Sequence, residues 1–465
     1  MNLPVSLTGA RDESLTLAVF ALASSTGLLA RYYYNRLGFE VALSEGIAIV
    51  ALAGLLFGLP ALLHLFSGRY GGWNVTWWRS APVFYIGTLF GLGGLGWLVL
   101  RIGFNLFPIV TLVGLVCWLA AIGLWLVSKG LAWRIIFGVV SALLATAILT
   151  GRHPVLLPEM ALTVGGHIDN IYHAAYSNMI VNYGVPSSGL DGLPYTPNHY
   201  LTHWLFGHIA ALIDVDILTF YVLAYPTLIA VLTLTAIAGF AVYVRRLLVT
   251  DIQRPLWRDG VFWLVLFLGI FGVLSIDQMR IVAMDVPRLF RSESQAFGVA
   301  LTLLMATLLL NVIHGYRQRS GGQVTFTEGI FFLLVLPVVV ALLGLGKFSQ
   351  LIIATPVIVW LWLRLGLFRR PFFVLALAVN LVVVFLVYRH VNVPDPEYSY
   401  FELFHFYRVN VADAGKPTFF VLYFAWTWLY IGLALWRSGA RTVGDAWQRL
   451  REGRLLGAEA LVVAS

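Results

Sequence analysis

The sequence predicts an all-α fold: a polytopic bundle of about twelve transmembrane helices, with surface helices in a long first external loop. Three observations carry this. Hydrophobic residues make up 60% of the 465 and charged residues only 11%, whereas soluble domains hold about 25% charged residues. Mean hydropathy is +0.86. The apolar residues come in uninterrupted runs: 104–127 and 217–244 contain no charge, enough for a helix to cross ~30 Å of hydrocarbon. A membrane β-barrel would instead alternate over ~10-residue segments, and no such alternation is present.

In chain order the predicted spans are 15–30, 41–66, 81–99, 104–127, 132–150, 217–243, 260–276, 295–313, 328–344, 349–366, 371–388 and 417–436. With the N-terminus in the cytoplasm, the excess of Lys and Arg falls on cytoplasmic segments and the excess of acids on external ones, as the positive-inside rule requires. Arg245-Arg246, Arg317, Arg319, Arg369-Arg370 and the tail from Arg437 to Arg454 mark the cytoplasmic side. The net charge of +8 therefore reports orientation, and no basic patch in a soluble domain points to nucleic acid. The chain divides into a four-span extension (1–131), a core (132–436) with external loops 151–216, 277–294, 345–348 and 389–416, and a tail (437–465). In the tail, Ala446, Leu450, Leu455 and Leu456 alternate with Arg449, Arg451 and Arg454, the pattern of an interfacial helix. Both termini are expected in the cytoplasm and the protein in the plasma or inner membrane. The single cysteine, Cys117, rules out an intramolecular disulfide and a multi-thiol metal site.

Polar residues in such a chain mark function, and they gather in the external loops. Six of the ten histidines are His153, His167, His173, His199, His203 and His208. Gly165-Gly166 precedes a predicted helix on which Asp169 is N-cap or first-turn residue. Ile171, Tyr172, Ala175, Tyr176, Met179, Ile180 and Tyr183 give it an apolar face, while Asp169, His173 and Ser177, four apart, share the other. Tyr183-Gly184-Val185-Pro186 ends it. The segment 199–213 is a short helix with three histidines, expected to lie at the membrane surface, with His199 and His203 on one face. Asp169 serves as a cap or, among imidazoles, as a general base; with His167 it also offers ligands to a divalent cation.

Between 277 and 293 lie three acids and three arginines, including Asp285, Arg288, Arg291 and Glu293. They pair mutually, or Arg288 and Arg291 grip a phosphate while Asp285 or Glu293 takes a second polar role. Lys347, in the turn Gly346-Lys347-Phe348-Ser349, snorkels to headgroups or neutralises a lipid-linked phosphate. Glu402 and His405, among Tyr398, Tyr400, Tyr407 and Arg408, suit a sugar face or an aromatic belt.

The arrangement resembles the GT-C superfamily of membrane glycosyltransferases, which includes the protein mannosyltransferases and the aminoarabinose transferases. Asp169, Tyr183-Gly184-Val185-Pro186, Tyr195-Thr196-Pro197-Asn198-His199 and Arg245-Arg246 follow in the order of that family's first external loop and next span. Asp285 and Glu293 match its acidic second loop, and Lys347-Phe348-Ser349 a lysine-bearing turn. The resemblance covers about residues 132–436 and is one of order and topology. Four spans precede the core, and no large external domain follows it. The resemblance implies a polyprenyl-phosphate-linked sugar as donor and a glycan, lipid or protein of the cell envelope as acceptor. It implies an inverting transfer with Asp169 as base, or Asp285 or Glu293 in its place. Arg288, Arg291 and Lys347 are the phosphate contacts, and His173, His199, His203, Glu402 and His405 further substrate contacts. A divalent cation is not required for such chemistry, although one held by His167 and Asp169 is compatible with it. A lipid-linked polysaccharide polymerase or ligase would share the span count and the polar loops. A transporter would place polar residues at mid-membrane on broken helices, where Glu45 and the glycines 344 and 346 are the only hints. A histidine-box oxidase or zinc protease needs closer clusters than the single HxxxH at His199 and His203.

Overall fold

The computed structural model describes residues 7–35, 42–67, 80–127, 131–149, 168–187, 200–248, 293–318 and 324–391, with isolated positions within 262–270 and 432–448. Regular structure among the described residues is entirely helical. The helices are α1 (Leu7–Asn35), α2 (Leu43–Ser67), α3 (Ala81–Ile102), α4 (Phe107–Val127), α5 (Leu131–Leu149), α6 (Ile168–Tyr183) and α7 (Tyr200–Leu212). Next comes α8, which runs through Ile217–Thr219, a π-helical Phe220–Ile229 and Ala230–Leu248. It is followed by α9 (Glu293–Gln318), α10 (Phe326–Gly346), α11 (Phe348–Arg364) and α12 (Pro371–Val391). Eight of the described helices are long and apolar enough to cross a bilayer, and the chain is a multi-pass membrane protein. The segments 132–150 and 349–366 are also helical, as α5 and α11, but their apolar stretches are shorter. The predicted spans 260–276 and 417–436 and the tail lie largely outside the described residues.

Local chemistry sets the ends. Pro82 opens α3, and Gly103, at φ 71°, closes it, a left-handed cap that glycine takes without strain. Asp216 caps α8 by accepting from the N–H groups of Leu218 and Thr219 at 2.8 and 3.2 Å. Thr325 and Glu328 form a reciprocal capping box at the start of α10, satisfying two otherwise orphaned donors.

α8 is the hub: nearly every side chain from Thr219 to Ala238 is buried. It packs against α1 and α9, and Thr233 Oγ1 donates across to the Ala296 carbonyl at 2.9 Å. α2 and α4 cross with their backbones in contact, since a methyl group on Gly54 would strike the Gly114 carbonyl. Such small-residue crossings let helices associate where lipid supplies no hydrophobic drive. The outer faces of α4, α5 and α12 expose Leu112, Val116, Leu119, Val139, Leu143, Val382 and Phe385, the side chains a hydrocarbon environment accepts.

The two helices of the first external loop pack more deeply than their sequences suggest. α7 is enclosed by the protein rather than exposed on it. Leu201 to Ala210 are buried except Trp204, because α7 is wedged among α3, α6 and α10. Its approach to α3 is so close that a methyl on Gly96 would strike the His208 carbonyl. The buried side of α6 mixes its two expected faces: Tyr176 and Ile180 of the apolar set are 1% and 3% exposed, next to Asn170, Ala174 and Ser177, while Ile171, Tyr172 and Tyr183 are 43%, 44% and 70% exposed.

Candidate functional site

α6, α7, α8 and α9 and the junction of α10 with α11 converge at one end of the bundle. Glu293 opens α9, so it belongs to a helix rather than to the preceding loop. Its side chain is 3% exposed, and Oε1 lies 2.8 Å from Nε2 of His173 on α6, whose side chain is 16% exposed. The imidazole N–H is not aligned on that oxygen, so Oε1 is a buried acceptor without a directed hydrogen bond. The far ring nitrogen of His173, Nδ1, and the amide Nδ2 of neighbouring Asn170 are likewise buried without a hydrogen-bond partner. Buried polar groups are rarely left so, and two of these atoms belong to the His173–Glu293 pair itself.

Around this pair the hydroxyl and imidazole groups are tied together. The Tyr221 hydroxyl is 2.7 Å from Ser177 Oγ and 2.9 Å from His203 Nδ1. The His173 and His203 rings stack with centroids 4.9 Å apart. Tyr221 and Tyr225, one above the other on α8, are within electrostatic reach of Glu293. Both belong to the π segment, which also contains Pro226. Proline lacks the N–H an α-helix requires, and a π segment re-spaces the helix at that point. Such segments frequently sit at functional sites.

Lys347 is the one residue between α10 and α11, with an extended backbone. Its Nζ donates to Ser294 Oγ at 3.2 Å, one residue along α9 from Glu293. Burial pushes the Lys347 ammonium below the ordinary lysine range, and the Glu293 charge partly restores it. The junction is held from two sides. Thr202 Oγ1 on α7 donates to the Gly346 carbonyl at 3.0 Å. Gly298 on α9 is bare because a methyl there would press on the Lys347 and Gln350 side chains.

Of the residues singled out from sequence, the structure brings His173, His203, Glu293 and Lys347 into one cluster. It puts the Asp169 backbone in the first turn of α6. The Asp169 side chain, His167, His199, Asp285, Arg288, Arg291, Glu402 and His405 lie outside the described residues. Sequence reading missed Asn170, Thr202, Tyr221, Tyr225 and Ser294, and used Ser177 only as a marker of the polar face. Tyr221 and Tyr225 carry a legible signal, two tyrosines four apart beside a proline. Among the described residues no group of three or more His, Cys, Asp or Glu is placed to hold a metal ion.

No family model, curated protein or solved structure matches this chain. The arrangement itself offers a carboxylate able to take a proton, an imidazole against it, and an ammonium one helical position away, all in a region of low dielectric.

Proposed function

We propose that this protein is a membrane glycosyltransferase that moves a sugar from a polyprenyl-phosphate donor to an acceptor at the external face, with inversion. The reading rests on the family resemblance of residues 132–436, and the observation that supports it best is the buried Glu293–His173 contact beside Lys347. In this reading Glu293 takes the proton of the acceptor hydroxyl and His173 stabilises the charge arrangement as it does so. The acceptor oxygen forms the new bond to the anomeric carbon, the bond from that carbon to the phosphate oxygen breaks, and polyprenyl phosphate departs with the electron pair. Lys347 neutralises the departing phosphate, so no strong acid is needed. Asp169, at the same end of α6, is the alternative base. The bilayer is the source of the donor.

The test is transfer of labelled sugar by purified protein in nanodiscs, comparing wild type, Glu293→Gln and Asp169→Asn, with thermal unfolding as a check on folding. We expect Glu293→Gln to lower transfer by about 100-fold or more while the protein unfolds cooperatively. Full activity in that variant would remove Glu293 as the base, and loss only in Asp169→Asn would assign the role there. Absence of transfer from every polyprenyl-phosphate sugar would overturn the reading.

One observation favours a transporter as second reading: a buried Glu–His pair with a lysine beside it among apolar helices, since ionisable groups there mark ion and proton paths. Proton-coupled uptake into proteoliposomes distinguishes it.

A further inference from the structure

On a different face of α7 from His203 is a pocket of about 210 Å³ bounded by α3, the end of α6 and α7. It holds Trp97 and Arg101 of α3, Tyr200, Trp204 and His208 of α7, and Gly184, whose φ of 71° ends α6. The cavity is open to the surface and large enough to seat a ring with its substituents.

The walls are chemically selective. Two indoles, Trp97 and Trp204, line the cavity, and the C–H bonds of a saturated ring are attracted to indole π-faces. The Arg101 guanidinium stands 5.9 Å from the centre of the Trp97 ring. Its N–H groups are the strong donors of the pocket wall. His208 is fixed: Nδ1 is 2.6 Å from the Trp204 carbonyl. A carbonyl can only accept, so Nδ1 carries a hydrogen and Nε2 is the remaining nitrogen of a ring that lines the cavity. Burial lowers the His208 pKa, the carbonyl contact raises it and Arg101 lowers it, for a net downward shift. The neutral ring therefore presents a lone pair at Nε2. The pocket joins donors on one wall to an acceptor on another. A sulfate or a phosphodiester has no hydrogen for that acceptor and meets a single cation. A hydroxyl both donates and accepts.

We propose that this pocket binds one hydroxyl-rich saturated ring, a sugar or an inositol unit, laid against the indole faces, with Arg101 donating to its oxygens and His208 Nε2 accepting from one of its hydroxyls. The site is separate from the Glu293 cluster and does not depend on the function proposed for that cluster. The ring arrives on a membrane lipid or free in solution.

The test uses the full chain in nanodiscs of phosphatidylcholine. Binding is followed by quenching of tryptophan fluorescence and by native mass spectrometry. The probes are monoglucosyl diacylglycerol, phosphatidylinositol, phosphatidylglycerol and soluble methyl glucoside. Saturable binding of a ring-bearing lipid, weakened about tenfold by Arg101→Gln and separately weakened by Trp97→Ala, is the expected result. Both positions are exposed, so neither substitution removes core packing. Competition by methyl glucoside supports the proposal with a soluble source, and its absence supports a lipid source. Equal binding of phosphatidylglycerol, which has hydroxyls and charge but no ring, would show that a ring is not what is recognised and would overturn the proposal. So would failure of every ring-bearing probe to bind, or binding untouched by both substitutions.

Discussion

Tyr221 joins α6 to α7 through a single oxygen, shared between Ser177 and His203. Removing that oxygen takes one hydrogen-bond partner from each of two buried polar groups, a cost of about 1–3 kcal/mol. Tyr221→Phe should therefore lower the thermal unfolding temperature in nanodiscs, whereas Tyr183→Phe, at an exposed position, should leave it unchanged. Lys347 gives a pH signature. Its folded pKa is depressed by burial, so raising the pH removes its proton earlier than from an exposed lysine, and the proposed phosphate contact weakens. The alkaline limb of kcat/KM should fall below the ordinary lysine range, with no effect of this group on the acid side. Lys347→Arg, which keeps its charge, should move that limb upward. His173, His203, Glu293 and Lys347 were legible in the sequence because an ionisable group in so apolar a chain stands out. Tyr221, Thr202 and Ser294 were not, because hydroxyl side chains occur throughout apolar spans and only the three-dimensional neighbours give them a role.

At the scale of elements, the crossing of α3 with α7 decides where His203 and His208 sit. Gly96 allows the α7 backbone against α3 at the His208 carbonyl. Gly96→Val must push the helices apart, because backbone atoms rather than a flexible side chain occupy the space. We expect a lower unfolding temperature, by an overpacking cost of about 1–3 kcal/mol, and weaker binding at the Arg101 pocket. Fluorescence-detected size exclusion after heating measures the first. The start and end of α6 and the extent of α7 were readable from Gly165-Gly166, Gly184-Val185-Pro186 and the histidine spacing. Their orientation was not. Amphipathicity identifies a helix with two faces, but which face turns inward depends on whether water or hydrocarbon lies outside, and the helix alone does not carry that information.

For the molecule as a whole, the start of α9 and the end of α10 meet at Glu293 and Lys347, which fixes those two ends on one side. In a Cys117→Ser background, cysteines at Asn178 and Ser349, both exposed, should react with a membrane-impermeant maleimide from one side. A cysteine at Arg369, beyond the far end of α11, should react only from the other. Labelling of Ser349→Cys and Arg369→Cys from the same side would mean that α11 does not cross. The bundle was predictable because hydrocarbon thickness sets a length that apolar runs either reach or miss. Helices short of it, such as α5 and α11, are where sequence reading loses its footing.

The π segment of α8 has a consequence of its own. Ten residues, Phe220–Ile229, are wound more loosely than the α-helix on either side, so the top of α8 is out of phase with its lower half. One residue of an α-helix corresponds to about 100° of rotation. If this stretch rewound by that amount, Tyr221 would swing away from Ser177 and His203 while the helix below Ala230 stayed in place. The aim of the two tyrosines is thus stored in the winding of α8 rather than in its position, as the setting of a dial is stored in its angle.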